Sequence, residues 1–297
     1  QRERDVLPGV PVPVEFIEIP DYMNKTGALI DQYCGDSIRT IDLQRVEDVD
    51  YRKGNAQAAR EIYFAVTGLA NADTVNRTLF GRLYRLQLDS ANPLSGMLTC
   101  VLNGDGKNLV NPGKLLYNPD NVCVTEDYVY VQEDPGGFWT PAYAPYLHDA
   151  AVHQYDMETG DAKILCLMDH HRHAPDSMTY NTNPNANLYV MSGQGTWEYG
   201  AMLDISNEVG IPNTFTLNLQ THSWYDPLYY GLDGGTLNNW SNQGSMVVML
   251  TNVPRIKPQA PTVPLVYTCQ GQTATLQATG GSTFWQTNGT TYNWYTT

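Results

Sequence analysis

The alternation of apolar and polar residues predicts a chain built mainly of short β-strands. Apolar side chains recur at every second position in many short segments, and turns containing Gly, Pro, Asn or Asp separate these segments. The run YVYVQED (128–134) after PDNVCV (119–124) is typical of a hairpin of two strands. The best helix candidate, roughly 25–33, has only a modest apolar periodicity. The pattern therefore indicates an all-β protein.

A repeated unit is visible from residue 45 onward. Each unit begins with an acidic residue beside a short apolar run, turns, and continues into a strand rich in Tyr, Val and Phe. The units begin at RVEDVDY (45–51), PDNVCV (119–124), APDSMTY (174–180) and WEYGAMLDIS (197–206). Alternating pairs such as GRLYRLQLD (81–89) with GMLTCVLNG (96–104) lie between them, as outer-blade strands would. Four-stranded units at such uneven intervals predict an irregular β-propeller.

The composition changes near the end of the chain. A Pro-rich linker at 256–264 follows the predicted propeller region, which spans 1–255. Residues 265–297 contain Cys269, an alternating TATLQA strand and Trp294. They resemble the first strands of an immunoglobulin-like domain, the kind found as an accessory module in secreted proteins of gliding and polymer-degrading bacteria. We expect this segment to be a truncated β-sandwich module.

Charge and composition narrow the function classes. The net charge of -14 and the absence of a Lys/Arg cluster argue against a nucleic-acid-binding surface. No apolar run approaches the length of a membrane-spanning helix, so an integral membrane protein is not expected. The five cysteines have no metal-ligand spacing and favour buried apolar roles. Many Tyr, Gly and Pro residues and few Lys favour a protein that works outside the cytoplasm.

Acidic and amide side chains recur at the ends of the predicted first strands. In a propeller these strands line the central channel, so their end residues converge near the axis. The candidates are Glu47, Asp48, Asp120, Asn121, Glu133, Asp134, Asp176, Glu198, Asn218 and Gln220. Converging carboxylates repel one another, and a hard cation such as calcium relieves that repulsion. The alternative for each Asp or Asn before a strand is a turn-forming role.

Several segments together resemble the PhoX-type alkaline phosphatase family. They are RVEDVDY followed by IYFAVTG, GRLYRLQLD followed by LTCVLNG, and above all PDNVCV followed by YVYVQED. The likeness covers roughly residues 14–255 and is similar to the C-terminal half of that family. It implies a six-bladed propeller that holds calcium with iron in its channel and hydrolyses phosphate monoesters outside the cytoplasm.

The resemblance also implies roles for single residues. Glu47 of RVED and Glu133 of QED would be metal ligands, and Glu198 of WEYGAM would be a third. Asp120 and Asn121 would support the rim, while Asp48, Asp134, Asp176 and Gln220 are weaker candidates. Nothing in residues 1–44 matches the family's thiolate ligand, and Cys34 in DQYCGDS has no assigned role. No catalytic residue is assigned.

Two function classes remain open. The first is an exported bacterial phosphatase that acts on a small phosphate ester in the periplasm, at the cell surface or in the medium. The second is a non-catalytic surface propeller that binds a cell-surface or secretion-machinery partner through its C-terminal region. The histidines of DHHRH (169–173), with His153 nearby in sequence, are either a metal or phosphate-contacting group or a solvated loop.

Overall fold

The computed structural model describes residues 2–69, 75–105, 116–134, 149–168, 197–225 and 243–254. The chain divides into two compact units, Gln1–Thr251 and Asn252–Thr297. Every described strand belongs to the first unit. The predicted linker, the predicted immunoglobulin-like segment and the predicted third repeat unit (174–194) lie outside the described residues.

The described residues form antiparallel β-sheets with little helix, so the all-β prediction is confirmed. The strands are β1 (Val12–Glu15), β2 (Val46–Tyr51), β3 (Glu61–Val66), β4 (Arg82–Leu88), β5 (Ser95–Asn103), β6 (Pro119–Val124), β7 (Tyr128–Glu133), β8 (Ala151–Asp156), β9 (Ala162–Leu167), β10 (Trp197–Asp204), β11 (Phe215–Tyr225) and β12 (Gln243–Leu250). Three sheets result, with strand orders β1-β5-β4-β3-β2, β6-β7-β8-β9 and β10-β11-β12. None of these sheets closes on itself within the described residues.

Helices are short and lie at the surface. Helix α1 (Gly27–Gln32) begins at Thr26, whose hydroxyl oxygen accepts a hydrogen bond from the backbone N–H of Leu29 at 3.3 Å. A π-helix (Tyr33–Ile38) continues it, and a single turn, α2 (Ser206–Val209), joins β10 to β11. The helix predicted at 25–33 is therefore present but starts two residues later, because Thr26 provides the N-cap.

The sheet of β6 to β9 is the middle layer of a stack. Every residue of β7 and β8 is buried, which requires a neighbouring layer on both faces of the sheet. On one face, Val129 and Val131 pack with Tyr63 of β3 in a shared apolar cluster. On the other face, the ring of Tyr130 lies 4.9 Å from that of Phe215 on β11, centroid to centroid. The middle sheet is thus held between the first and third sheets.

An edge strand of the first sheet, β2, lies beside an edge strand of the second, β6, and runs in the same direction. Side-chain oxygens of Asp48 and Asp50 on β2 accept hydrogen bonds from the backbone N–H groups of Val122 and Val124 on β6, each at 2.9 Å. Residue numbers rise together on both strands, so the two are parallel. They belong to different sheets, and side chains rather than a backbone ladder join them.

The first strand of the third sheet continues this arrangement. The thiol of Cys123 on β6 meets the backbone N–H of Asp204 on β10. Gln132, the cross-strand partner of Asn121, contacts the sulfur of Met202 at 3.5 Å. Asn121 thus corresponds to Met202 and Cys123 to Asp204. Residue numbers rise in the same direction on both strands, so β10 runs parallel to β6. The beginnings of β2, β6 and β10 therefore lie at the same edge of the stacked sheets.

Candidate metal-binding site

An acidic residue occupies the second position of one edge strand in each sheet. These residues are Glu47 on β2, Asp120 on β6 and Glu198 on β10. Since the three strands are parallel neighbours, equivalent positions lie at the same edge of the stack. The sequence interpretation named Glu47 and Glu198 as metal ligands and Asp120 as a residue that supports the rim.

The structure groups four acidic side chains and one basic side chain around the start of β6. Burial, and after it the negative charges of Asp134, Glu47 and Asp48, raise the pKa of Asp120 to about 6. The positive charge of Arg45 acts in the opposite direction. We call these five residues the Asp120 cluster. The pKa shows that its carboxylates are close enough to repel one another.

Arg45 is a residue to which the sequence interpretation gave no role. Its backbone adopts φ +62°, a left-handed conformation that is uncommon for a residue other than glycine. Its guanidinium contacts the Oε1 atom of Glu47 at 3.0 Å, and 41% of its side chain remains exposed. The backbone oxygen of Arg45 accepts a hydrogen bond from the N–H of Thr67 at 2.9 Å, which helps hold this conformation. The Asp120 cluster therefore contains a guanidinium group that solvent can reach.

Asp120 and Asp134 are brought together by the pairing of β6 with β7. The backbone N–H of Asp134 donates to the oxygen of Asn118 at 2.9 Å, which closes the end of the hairpin. Asn118 has φ +47° and forms the turn before β6, whereas Asp120 is a strand residue. Asn121 donates from its side-chain amide to Oδ2 of Asp120 at 2.5 Å. Asn121 therefore supports Asp120; the role of both residues in supporting the rim, which the family resemblance implied, stays a prediction.

Asp48 differs from its neighbours in the cluster because both of its oxygens accept backbone hydrogen bonds. Oδ1 accepts from the N–H of Val49 at 2.8 Å, and Oδ2 accepts from the N–H of Val122 at 2.9 Å. Asp50, which the sequence interpretation did not select, has the same arrangement with Tyr51 and Val124. The alternation Asp-x-Asp on a strand, which puts both carboxylates on one face, was the available signal.

Glu133 is completely buried inside the middle sheet. Its Oε1 atom accepts from the backbone N–H of Tyr117 at 2.7 Å and lies 2.7 Å from Nε2 of His153. Its Oε2 atom accepts from the backbone N–H of Ala151 at 2.9 Å. With these partners, its carboxylate fits a cation less well than the partly exposed Glu47 does. His153 is buried here rather than in a solvated loop, while residues 169–173 lie outside the described ranges.

Glu198 and Gln220 face one another across the third sheet. They are direct cross-strand partners in the β10–β11 pair, and Glu198 is buried. The charge of Glu133 acts on the pKa of the adjacent Tyr199, so this end of β10 lies near the end of β7. Asn218 lies on the same sheet, with its amide against Gly200. Asp176 lies outside the described residues.

The chemistry of the Asp120 cluster fits a hard cation. Calcium prefers carboxylate and amide oxygens, which Glu47, Asp120, Asp134 and Asn121 offer. Iron is a weaker fit to this group, because the cluster contains no imidazole or thiolate. In the described part of the chain, however, no three or more His, Cys, Asp or Glu side chains are already arranged to hold a metal ion. Binding would therefore require the carboxylates to draw closer together.

Comparisons with protein-family models, with curated proteins and with solved structures found no match for this chain. None of the helices in the described ranges is long and apolar enough to cross a membrane.

Proposed function

We propose that this chain carries the propeller region of an exported, metal-dependent phosphatase of the PhoX type, which hydrolyses phosphate monoesters. In this proposal the three stacked sheets are consecutive blades of a six-bladed β-propeller. The channel-lining strands are β2, β6 and β10. Calcium would be held at the channel end at which these strands begin; iron, which the family resemblance also implies, fits this group of oxygen ligands less well.

The observation that carries the proposal is the repeated acidic position on three parallel strands. Glu47, Asp120 and Glu198 are each the second residue of an edge strand of their sheet. A role limited to turn formation does not require this equivalence. The raised pKa of Asp120, which burial and then the neighbouring carboxylates cause, adds support, because a bound cation would offset the part that the carboxylates contribute.

In this proposal carboxylates of the Asp120 cluster bind a cation, and Arg45 binds the substrate. Glu47, Asp120 and Asp134 supply oxygen ligands, and Glu198 supplies one from the third sheet. A bound cation would act as a Lewis acid toward the phosphate oxygens. The guanidinium of Arg45 can donate two parallel hydrogen bonds to a phosphate. Its unusual backbone conformation fixes where that side chain starts, beside Glu47.

Glu133 takes a different role in this proposal. Its carboxylate accepts backbone hydrogen bonds from Tyr117 and Ala151 and contacts His153, so it joins the start of β8 to the residues before β6. It would keep the floor of the site rigid rather than bind the ion directly. Asp48 likewise serves the contact between β2 and β6.

The test is calcium binding and phosphomonoester hydrolysis by the purified chain, with and without a chelator. We expect calcium to bind and p-nitrophenyl phosphate to be hydrolysed, with both lost after chelation. Glu47→Gln and Asp120→Asn should weaken calcium binding at least tenfold, since each removes a charged ligand. Glu126→Gln, an exposed carboxylate on the β6–β7 turn, is the matched control. A chain that binds no calcium and hydrolyses no phosphate ester contradicts the proposal.

A second candidate function is a non-catalytic surface module. The observation that favours it is a group of exposed apolar residues before α1, namely Phe16, Ile17, Tyr22 and Met23, the last 78% exposed. Exposed apolar groups of this kind mark interaction surfaces. Replacing Phe16 and Met23 with Ser should abolish binding to cell-surface material but leave phosphatase activity intact. If the chain has phosphatase activity and Glu47→Gln removes it without altering surface binding, catalysis is the better account.

A further inference from the structure

We propose that Asp50, together with Asp48, is a positioning residue that fixes β6 against β2 and so sets the spacing of Glu47 and Asp120. This inference rests on the proposed cation site for its functional meaning. The pair is called the carboxylate clamp below. It adds to the site the side chain of Asp50, which lies outside the Asp120 cluster and, like that of Asp48, need not touch the ion or the substrate.

The clamp has matched spacing on both strands. Its two aspartates are two residues apart on β2, and the N–H groups that they bind, those of Val122 and Val124, are two residues apart on β6. Successive side chains of a strand alternate between faces, so residues two apart point the same way. Both bonds are 2.9 Å long and charge-assisted, which makes them stronger than ordinary backbone bonds.

Each clamp carboxylate is also fixed at its second oxygen. The Oδ1 atom of Asp50 accepts from the N–H of Tyr51 at 2.8 Å and from the ammonium of Lys53 at 2.5 Å. The Oδ1 atom of Asp48 accepts from the N–H of Val49 at 2.8 Å. A carboxylate held at both oxygens has little freedom to rotate. The clamp therefore transmits the position of one strand to the other.

Further bonds place the clamp within a longer seam between the two sheets. Beyond it, the N–H of Lys53 donates to the oxygen of Thr125 at 3.3 Å, and Nε of Arg52 donates to the oxygen of Glu126 at 2.6 Å. At the other end, the hydroxyl of Thr67 donates to the oxygen of Pro119 at 2.8 Å. The Asp120 cluster lies at this second end of the seam. The clamp supplies the bonds that lie nearest to it on β2.

Substitution of Asp50 tests the positioning role of the clamp without removing a charge from the Asp120 cluster. The carboxylates that raise the pKa of Asp120 are those of Asp134, Glu47 and Asp48. Asp50→Asn leaves all three of these charges in place and removes one acceptor from the clamp. The amide nitrogen of the new side chain would have to face the N–H of either Val124 or Tyr51, donor against donor. An effect of this variant on the cluster must therefore act through geometry.

The experiment combines hydrogen exchange with calcium binding in wild type, Asp50→Asn and Asp89→Asn. Asp89 is the matched control, because its Oδ1 atom also accepts two backbone hydrogen bonds at 2.8 Å but lies in an exposed turn. We expect the amide of Val124 to exchange about tenfold faster in Asp50→Asn, as loss of one charge-assisted bond predicts. Calcium affinity should fall about fivefold, and the control should match wild type in both measurements.

The outcomes distinguish this inference from the proposed function. Unchanged exchange at Val124 in Asp50→Asn overturns the clamp, whatever calcium does. Faster exchange with unchanged calcium affinity overturns its positioning role. If wild type binds no calcium, the proposed function fails, and the exchange result alone decides whether the clamp exists. A variant with Asp50→Ala, which removes the acceptors entirely, should exceed Asp50→Asn in both effects.

Discussion

Asp120 is the residue in which burial, charge and the proposed chemistry meet. Its pKa of about 6 lies above the usual value of 3.8, so the folded protein binds this proton more tightly than the unfolded chain does. The contribution of the group to stability is therefore greatest below about pH 4 and is lost as the pH rises through about 6. At neutral pH this carboxyl group is mostly ionised, although burial and the neighbouring carboxylates favour its neutral form.

Asp120→Asn should raise the free energy of unfolding at about pH 8 in the absence of metal. The expected gain is about 1 kcal/mol, after allowance for the partial exposure of the group, and it should vanish near pH 4. Urea unfolding at the two pH values measures it. Asp89→Asn should show the opposite sign at pH 8, since hydrogen bonds lower the pKa of Asp89. A destabilised Asp120→Asn protein at pH 8 would contradict the repulsion argued above.

Glu133→Gln should destabilise the fold rather than alter an exposed site. The substitution puts an amide N–H against at least one buried donor among Tyr117, Ala151 and His153. The expected loss is about 3 kcal/mol, typical of a broken buried network around a charged group. Urea unfolding measures the loss, with Glu126→Gln as the control. A stable variant that binds calcium poorly would instead support the ligand role implied by the family resemblance.

At the scale of single residues, the sequence predicts the positions of acidic side chains but not the partners that they bind. The acidic positions at Glu47 and Asp120 follow from the repeated pattern, and the structure brings them into one cluster. The partners of Asp48 and Asp50 could not be predicted, because their bonds join residues that are 74 positions apart in the chain. The buried contact between Glu133 and His153 could not be predicted either, because a charged residue at the end of a strand is usually exposed.

At the scale of elements, the alternation of side chains was sufficient to predict the strands. Both hairpin strands of 118–135 are present, as are those at 45–51 and 197–206. The sequence pattern does not predict where the pairing register is interrupted. Such interruptions lie between Val46 and Val49 and between Tyr199 and Met202. Such bulges depend on packing against neighbouring sheets, which a pattern along one strand does not contain.

The junction between β4 and β6 depends on one glycine. Gly81 has φ +91°, and a Cβ atom there would overlap Pro119 and lie 2.6 Å from the oxygen of Thr67. Gly81→Ala should lower the free energy of unfolding by about 3 kcal/mol, because backbone strain and steric overlap combine. Thermal unfolding measures this loss.

Gly9→Ala is the control for that prediction. Gly9 has a similar φ of +73°, but nothing lies within 4 Å of the added Cβ atom. It should therefore lose only about 1 kcal/mol, from backbone conformation alone. Equal losses at both positions would show that the close approach of Pro119 contributes nothing.

At the scale of the whole molecule, the net charge of -14 should make stability dependent on salt. Raising sodium chloride should increase the melting temperature by screening general repulsion. Calcium chloride at the same ionic strength should raise it further, because binding to the folded state adds about 2.7 kcal/mol at 100 times the dissociation constant. Differential scanning calorimetry measures both. Identical melting temperatures in the two salts would indicate screening without a specific site.

The bonds between β2 and β6 restrict substitution more strongly on β2 than on β6. On β2 the bonds come from the side chains of Asp48 and Asp50, whereas on β6 they come from the backbone of Val122 and Val124. Any residue except proline supplies that backbone N–H. The seam therefore tolerates other side chains at Val122 and Val124, whereas Asp48 and Asp50 cannot be replaced without losing these bonds. A saturation library over both strands should show this asymmetry, with the bonding requirement at β6 excluding proline alone.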